Sequence, residues 1–398
     1  MVITKWSGSV WNQVFLGVDG APDDSKFPNP PFTTFATTPL SREKPFLFVE
    51  HDQYLVRVPY AKLESRGVSW ATGLTDGLTV PLSDFFVATP TDSVARINVA
   101  LAGGKHLLFT PGVYEVNESI VVGRANTVVL GLGLATLLAV DGAIPLTILD
   151  QPGIIVSGLI FDAGTVESPI LLQVGVPHST EKGDPSNPIT LHDIYFRVGG
   201  PYIGKADICL QVNSNHVLID HTWVWRADHG LEPFNGVNGF EGDNERWLAN
   251  IGRNGVVVNG DNVTVTGLFV EHYQEYNVIW NGEGGRVFFF QNELPYDPPT
   301  QNDWRADDGA LGWAAYKVND TVKEHELHGG GVYCYNRNNP DIISEHGFQV
   351  PTNVAGIKMK RIYTRNLSGP GTVNSVINGV GAKVDSNTKG PNYVLSYP

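Results

Sequence analysis

The stretch "NVTVTGLFVEHYQEYNVIWNGEGGRVFFFQNELPY", residues 262–296, contains two apolar runs that are closed by Glu271 and Glu293. The two runs align with an offset of 22 residues, which places Phe269 opposite Gln291. An offset of this size is typical of one coil of a β-solenoid, in which neighbouring strands are about 4.8 Å apart. The stretch therefore predicts two parallel strands on successive coils.

Side chains of a strand alternate between its two faces, and an even offset keeps equivalent residues on the same face. The alternation places Leu268, Val270, Phe288 and Phe290 on the inward face. The two glutamates then point out of the coil, one above the other.

Short runs rich in β-branched residues continue through the rest of the chain, each closed by Gly, Asn or Asp. Examples are "NTVVLGLGLATLLAV" (126–140), "GIIVSGLIFDAG" (153–164), "PITLHDIYFRVGG" (188–200) and "HVLIDHTWVWRADHG" (216–230). No long helical pattern separates them, so βαβ winding is not expected. The pattern predicts an all-β protein, a right-handed parallel β-helix of the pectate-lyase-like type. A large antiparallel sandwich is the alternative, but few two-residue hairpin turns are visible.

The chain divides into two parts on composition. Residues 1–90 form a loop-rich connecting segment with short strands, two of them within residues 46–58. Residues 91–398 are predicted to form the β-helix domain that carries the catalytic motif. An amphipathic helix is expected at residues 93–102, with Ser93 as its N-cap, and it would cap the open end of the solenoid.

Composition limits the possible partners. The formal net charge of −14 argues against nucleic acid and anionic membranes, which require Lys and Arg. No apolar stretch is long enough for a transmembrane helix, and the first residues lack the apolar region of a signal peptide. Cys209 and Cys334 are too few for a disulfide framework or a zinc site, so two buried thiols are expected.

Two stacked carboxylates provide a chemical hypothesis. Like charges a few ångströms apart raise the pKa of one group, so that one is protonated while the other is ionised. Glycoside hydrolysis requires this combination of an acid and a carboxylate. The alternative interpretation is that Glu271 and Glu293 are unrelated surface residues that happen to lie one coil apart.

The stretch "WVWRADHG" contains a second group of candidate residues. Trp223 and Trp225 alternate and so share one face of a strand, and Asp228 and His229 follow where the strand opens into a loop. An indole ring beside a carboxylate suits a sugar, which stacks on the ring and hydrogen-bonds through its hydroxyls. A core Trp and a turn Asp would explain the same letters. The histidines here lack a further ligand cluster, so no metal is expected.

These residues resemble a known family. The stretch "FVEHYQEYNVIWNGEGGRVFFFQNELPYDPP" (269–299) is similar to the core motif of glycoside hydrolase family 55, and "WRADHG", "LLFTPGVY" and "VLGLGLAT" are similar to other parts of it. Members are β-1,3-glucanases, mostly exo-acting, and they consist of two β-helix domains side by side. The chain resembles the C-terminal two thirds, without the first domain.

The resemblance implies an inverting hydrolysis of β-1,3-glucan without metal or cofactor, and a secreted protein. Glu293 would be the general acid, and Glu271 would help to hold the attacking water. Trp225 and Asp228 match the part of the motif that lines the glucose pocket. The expected substrate-binding residues are Trp225, Asp228, His229, Tyr296 and Trp280.

Two other functions fit the same fold. A pectin-active lyase or hydrolase would need basic residues for uronate carboxylates, and the acidic charge counts against it. A non-catalytic carbohydrate-binding or tailspike-like β-helix is the other alternative. Products from laminarin and from pectin would distinguish the three.

Overall fold

The computed structural model describes residues 6, 10–200, 202–228, 244–337 and 339–398. Seven short strands precede the solenoid: β1 (Gln13–Leu16), β2 (Phe32–Phe35), β3 (Thr38–Ser41), β4 (Phe46–Glu50), β5 (Gln53–Pro59), β6 (Lys62–Ser65) and β7 (Gly77–Pro81). They form three small sheets, in which β4 and β5 pair antiparallel as the expected pair of short strands.

The solenoid begins after a 3₁₀ turn at Leu82–Asp84. Its first half contains β8 (Phe85–Ala88), helix α1 (Val94–Ala102), β9 (His106–Phe109), β10 (Val113–Val116), β11 (Ile120–Val122), β12 (Val128–Ala139), β13 (Leu146–Ile148), β14 (Ile155–Asp162), β15 (Ser168–Val174), β16 (Ile189–Val198), β17 (Ala206–Val212) and β18 (Val217–Arg226). Its second half contains α2 (Asn244–Ala249), β19 (Gly252–Val258), β20 (Thr264–Glu271), β21 (Val278–Trp280), β22 (Gly285–Glu293), β23 (Tyr316–Val318), β24 (His325–Cys334), β25 (Ile343–Gln349), β26 (Ile357–Asn366), β27 (Thr372–Ile377) and β28 (Asn392–Tyr397).

The strands stack into two long sheets. Even-numbered strands from β8 to β28, together with β9, form one sheet, and odd-numbered strands from β11 to β27 form the other. Within the described residues the strands of successive coils pair in parallel, and only the last strand, β28, joins its neighbour β26 antiparallel. The predicted parallel β-helix is therefore confirmed, and the antiparallel sandwich is wrong. The interior is a continuous apolar core that also contains both cysteines as free thiols.

A left-handed residue bends each long strand at the same level. Residues with positive φ occur at Gly158, Asp193, His221, Gly267 and Phe289 in successive coils. The residues on either side of each position pair in register while the position itself is skipped. Only glycine adopts this conformation without strain, and asparagine, aspartate and histidine adopt it more readily than other residues. The repeated bend divides each of these strands into a segment before it and a segment after it.

This bend corrects one expectation about side-chain direction. Val287 and Phe290 point into the core, three residues apart, because Phe289 interrupts the alternation. Phe288 therefore lies on the outer face, against Phe35 of the N-terminal segment, and not inside the coil as predicted. The glutamates still align, because both strands carry the bend at the same level.

Both ends of the solenoid are covered. Helix α1 begins at Ser93, whose hydroxyl accepts a hydrogen bond from the Arg96 amide, and buries Val94, Ile97 and Leu101 in the core. Strand β28 occupies the opposite edge of the long sheet. These elements remove apolar core and strand edges from solvent. The helix confirms the predicted cap, and β8 extends the sheet one strand beyond it.

The N-terminal segment runs along the outside of the long sheet. Arg42 donates to the carbonyl of Pro188, and the indole of Trp11 packs on the ring of Tyr333 at 5.2 Å. These contacts place the N-terminal segment beside the face that carries the glutamates. Within the described residues no helix is long and apolar enough to span a bilayer.

Candidate active site

The two glutamates lie in one column of outward side chains. Trp225 pairs with Glu271 across β18 and β20, and Glu293 pairs with Tyr333 across β22 and β24. Between them, Phe269 pairs with Gln291, two residues before each glutamate. The column therefore runs Trp225, Glu271, Glu293, Tyr333 over four coils, at the point where the strands end.

Glu271 is fixed by two donors. Its Oε2 accepts from the indole Nε1 of Trp223 at 2.8 Å, and its Oε1 accepts from Gln291 Nε2 at 3.1 Å. The residue is only 9% exposed. Burial raises the pKa of Glu271, and the charges of Glu293 and Asp228 add to this, while His272 and Trp223 oppose it. A carboxylate held this firmly can bind and orient a water molecule.

Glu293 occupies a more open position at the end of β22. Its side chain is 25% exposed, and the turn that starts at Leu294 leads the backbone away. The hydroxyl of Tyr296 donates to Oε2. The apolar strand before Glu293 and the proline-containing turn after it account for this position. A partly exposed carboxyl group at this position can reach a bound ligand.

A buried histidine connects the site, and sequence reasoning missed it. His272 Nδ1 lies 3.2 Å from Asp228 Oδ2, and Nε2 lies 3.9 Å from Glu293 Oε2. Its backbone N–H donates to the Glu293 carbonyl at 2.8 Å. Burial disfavours the charged imidazole, but Asp228, Glu293 and Glu271 outweigh it and raise the pKa of His272 to about 9. Its position directly after Glu271 was the available signal.

The structure brings Asp228 and Tyr296 into the same cluster. Asp228 Oδ2 accepts from the Tyr296 backbone N–H at 2.7 Å, and Asp228 itself is fully buried. The Tyr296 ring packs against His272 with centroids 4.6 Å apart. Asp228 is therefore on the same side of the coil as Glu293, and its contacts suit an orienting role more than a direct contact with sugar.

Trp223 and Trp225 form an aromatic platform beside the glutamates. Their rings stack at 5.6 Å with an interplanar angle of 19°. Trp223 is 38% exposed, so its face is open while its Nε1 holds Glu271. Such a platform suits the C–H face of a pyranose ring.

Trp280 and His229 are two of the predicted substrate-binding residues. Trp280 has no exposed surface and packs in the core beside Tyr316 and His325, so the prediction that it binds substrate is wrong. Val278 and Trp280 alternate on the inward face of β21, which explains this position. His229 lies outside the described residues.

A fully buried ion pair contacts the cluster through the backbone carbonyl of His272. Arg226 donates to both carboxylate oxygens of Asp297, at 3.0 and 2.8 Å. The same guanidinium donates to the carbonyl of His272 at 3.1 Å. Burial raises the pKa of Asp297, although Arg226 favours its ionised form. Within the described residues no group of three His, Cys, Asp or Glu could hold a metal ion.

The fold and site define a pectate-lyase-like parallel β-helix with a pair of carboxylates on an aromatic face. Residues 85–293 match the family model for the LAM55 pectate lyase-like domain, which is more than half of the chain. The chain belongs to the LAM55 family.

Relatives agree with this assignment. The chain is 47% identical over 394 residues to an exo-beta-1,3-glucanase of Streptomyces sp. strain SirexAA-E, and the match covers 99% of this chain and 62% of that protein. The solved structure of sacteLam55A from the same organism has a TM-score of 0.93 at 46% identity, covering all of this chain and 69% of that one. A variant of sacteLam55A in complex with glucose matches with the same TM-score at 45% identity. The chain thus spans less than two thirds of the length of its curated relative.

Proposed function

We propose that the protein is an exo-acting glycoside hydrolase that cleaves β-1,3-glucan with inversion. Glu293 is the general acid, and Glu271 holds the attacking water. The observation that carries the proposal is the pair of carboxylates, stacked on adjacent coils but held in different surroundings, in a chain of the LAM55 family. The curated relative is an exo-beta-1,3-glucanase, and the sacteLam55A variant was solved with glucose.

The reaction requires one proton donor and one oriented water. Glu293 gives its proton to the glycosidic oxygen as the bond between this oxygen and the anomeric carbon breaks. Water attacks the anomeric carbon from the opposite face, forms the new C–O bond and loses a proton to Glu271. The products are a glucan shortened by one residue and α-glucose, and solvent then restores both protonation states.

Inversion requires more room between carboxyl groups than one strand spacing of about 4.8 Å supplies, because about 6.5–9.5 Å is typical. The hydrogen bonds support a sufficient separation. The hydrogen bonds from Trp223 and Gln291 direct the Glu271 carboxylate toward the start of its strand, because these two donors lie two residues earlier in the neighbouring strands. Tyr296 draws Glu293 in the opposite direction, past the strand end. The two side chains therefore diverge along the strand axis.

We also propose that a further β-helix domain contributes to the water-binding side of the site, and that the protein acts outside the cell. The first point is supported by the greater length of the relatives. Assays therefore use the full-length gene product that carries this chain.

The test is the analysis of early products from laminarin by proton NMR. The proposal predicts glucose as the main product, appearing first as the α-anomer before mutarotation. Pectin and polygalacturonate serve as control substrates and should give no product. Unsaturated uronides, or binding of laminarin without release of glucose, would contradict the proposal. Glucose that appears first as the β-anomer would contradict inversion alone.

A further inference from the structure

His272 occupies the centre of the polar cluster and is almost fully buried. The side chain is 2% exposed and lies between Asp228 at the end of β18 and Glu293 at the end of β22. Its backbone has a φ of 70°, in the left-handed region, which turns the ring under the strand ends. Nδ1 also lies 3.2 Å from the carbonyl oxygen of Leu294. The fold has thus positioned an imidazole against two separate carboxylates.

The surrounding charges decide the protonation state of this ring. Asp228 and Glu293 face its two nitrogens, Glu271 precedes it on β20, and each of these carboxylates favours the cation. The Arg226 guanidinium contacts the His272 carbonyl and opposes the cation, but Asp297 neutralises this guanidinium through two hydrogen bonds. Tyr296 packs on the ring as a neutral phenol, because burial and the charge of Glu293 raise its pKa. Among the described residues the net charge around the ring is negative, which favours the imidazolium form.

The two oxygens of Glu293 have different surroundings. Oε2 accepts the Tyr296 hydroxyl and faces the His272 ring, whereas the described residues provide no hydrogen bond to Oε1. An oxygen that faces a cation and already accepts a hydrogen bond is a poor site for the acid proton. The carboxyl proton of Glu293 therefore belongs on Oε1.

We propose that His272 is a positioning residue that holds Glu293 with Oε1 toward the scissile bond, and that its charge shapes the pH profile of the reaction. The inference rests on the proposed function. Asp228 has a supporting part, because it accepts from both His272 and the Tyr296 backbone and so joins the two groups that fix Oε2. Neither His272 nor Asp228 is itself an acid or base in the reaction.

The first experiment measures the ring itself and does not depend on activity. Histidine Cε1–H resonances of the full chain are followed by NMR from pH 5 to 10.5, and the His272 signal is identified by its loss in His272→Gln. The proposal predicts a pKa well above the ordinary value, which falls by about one unit or more in both Glu293→Gln and Asp228→Asn. A pKa near the ordinary value, or one that Glu293→Gln leaves unchanged, would overturn the proposal.

The second experiment measures the pH dependence of kcat/KM on laminarin in the full-length gene product. His272→Gln removes a cation from beside the acid, so the alkaline limb of the profile should move up by about one pH unit. Turnover should fall on laminarin but far less on an aryl β-glucoside with an acidic leaving group, which needs no proton. His346→Gln is the matched control, because that half-buried ring bonds to Ser375 away from the site.

The possible failures are distinguishable. An equal loss on both substrates with an unmoved alkaline limb would mean that His272 has only a structural role, and would overturn the inference. If the wild type released no glucose from laminarin, the proposed function would fail, while the NMR titration would still decide whether His272 and Glu293 are coupled.

Discussion

Replacement of Asp297 by Asn should destabilise the protein severely, because it leaves the Arg226 guanidinium buried without its counterion. Both side chains have no exposed surface, and two hydrogen bonds of 3.0 and 2.8 Å join them. Removing one partner of a buried pair costs about 3–5 kcal/mol, since the remaining charge can neither find water nor lose its proton. For a chain of 398 residues this cost corresponds to a decrease in Tm of about 4–6 °C.

Differential scanning calorimetry at pH 7 measures this decrease directly. Asp19→Asn is the matched control, because Asp19 accepts from Arg66 at 2.6 Å but both side chains are largely exposed, at 42% and 60%. An exposed pair contributes at most about 1 kcal/mol, so the control should lower Tm by about 1 °C or less. Equal changes in Tm for the two variants would refute the argument that burial makes the Arg226–Asp297 pair essential.

Three further predictions concern the site and the coil beneath it. Trp223→Phe removes a donor that lowers the pKa of Glu271, so the acid limb of kcat/KM on laminarin should move to higher pH. Because the pKa of His272 is raised in the folded protein, its protonation stabilises the fold by about 3 kcal/mol below pH 6.5, and this contribution should be lost as the pH rises through 9. Urea unfolding of wild type and His272→Gln over this pH range measures the loss. Gly255→Ala should cost about 1–3 kcal/mol in the same unfolding assay, because the added Cβ would lie 2.3 Å from Val270 Cγ1.

The coil and the register of β20 against β22 could be predicted because they depend on local pattern. The offset between Phe269 and Gln291 is visible in the letters, and the structure has this register. The helix beginning at Ser93 was equally visible, since an N-cap and a Gly-Gly end bracket it. Regular solenoids repeat the same local rule in each coil, so one correctly aligned pair of strands defines its neighbours.

The errors arose where backbone geometry interrupts the pattern. Phe289 has a positive φ that bulky residues rarely adopt, and this bend moved Phe288 to the outer face. Alternation alone gives no sign of it. His272 was missed because its role depends on Asp228 and Glu293, which lie on other coils. Pairings between coils through side chains are not visible in a single sequence.

The central claim is that Glu293 is the general acid for hydrolysis of β-1,3-glucan. The most direct measurement compares Glu293→Gln with wild type on laminarin and on an aryl β-glucoside with an acidic leaving group, in the full-length gene product. Turnover on laminarin should fall by about 10²–10⁴, while most of the rate on the aryl glucoside is retained. Glu275→Gln, at a carboxylate that pairs with Arg253 outside the site, should change neither rate. Near-normal turnover of laminarin by Glu293→Gln would contradict the claim and leave Glu293 as the structural end of a strand.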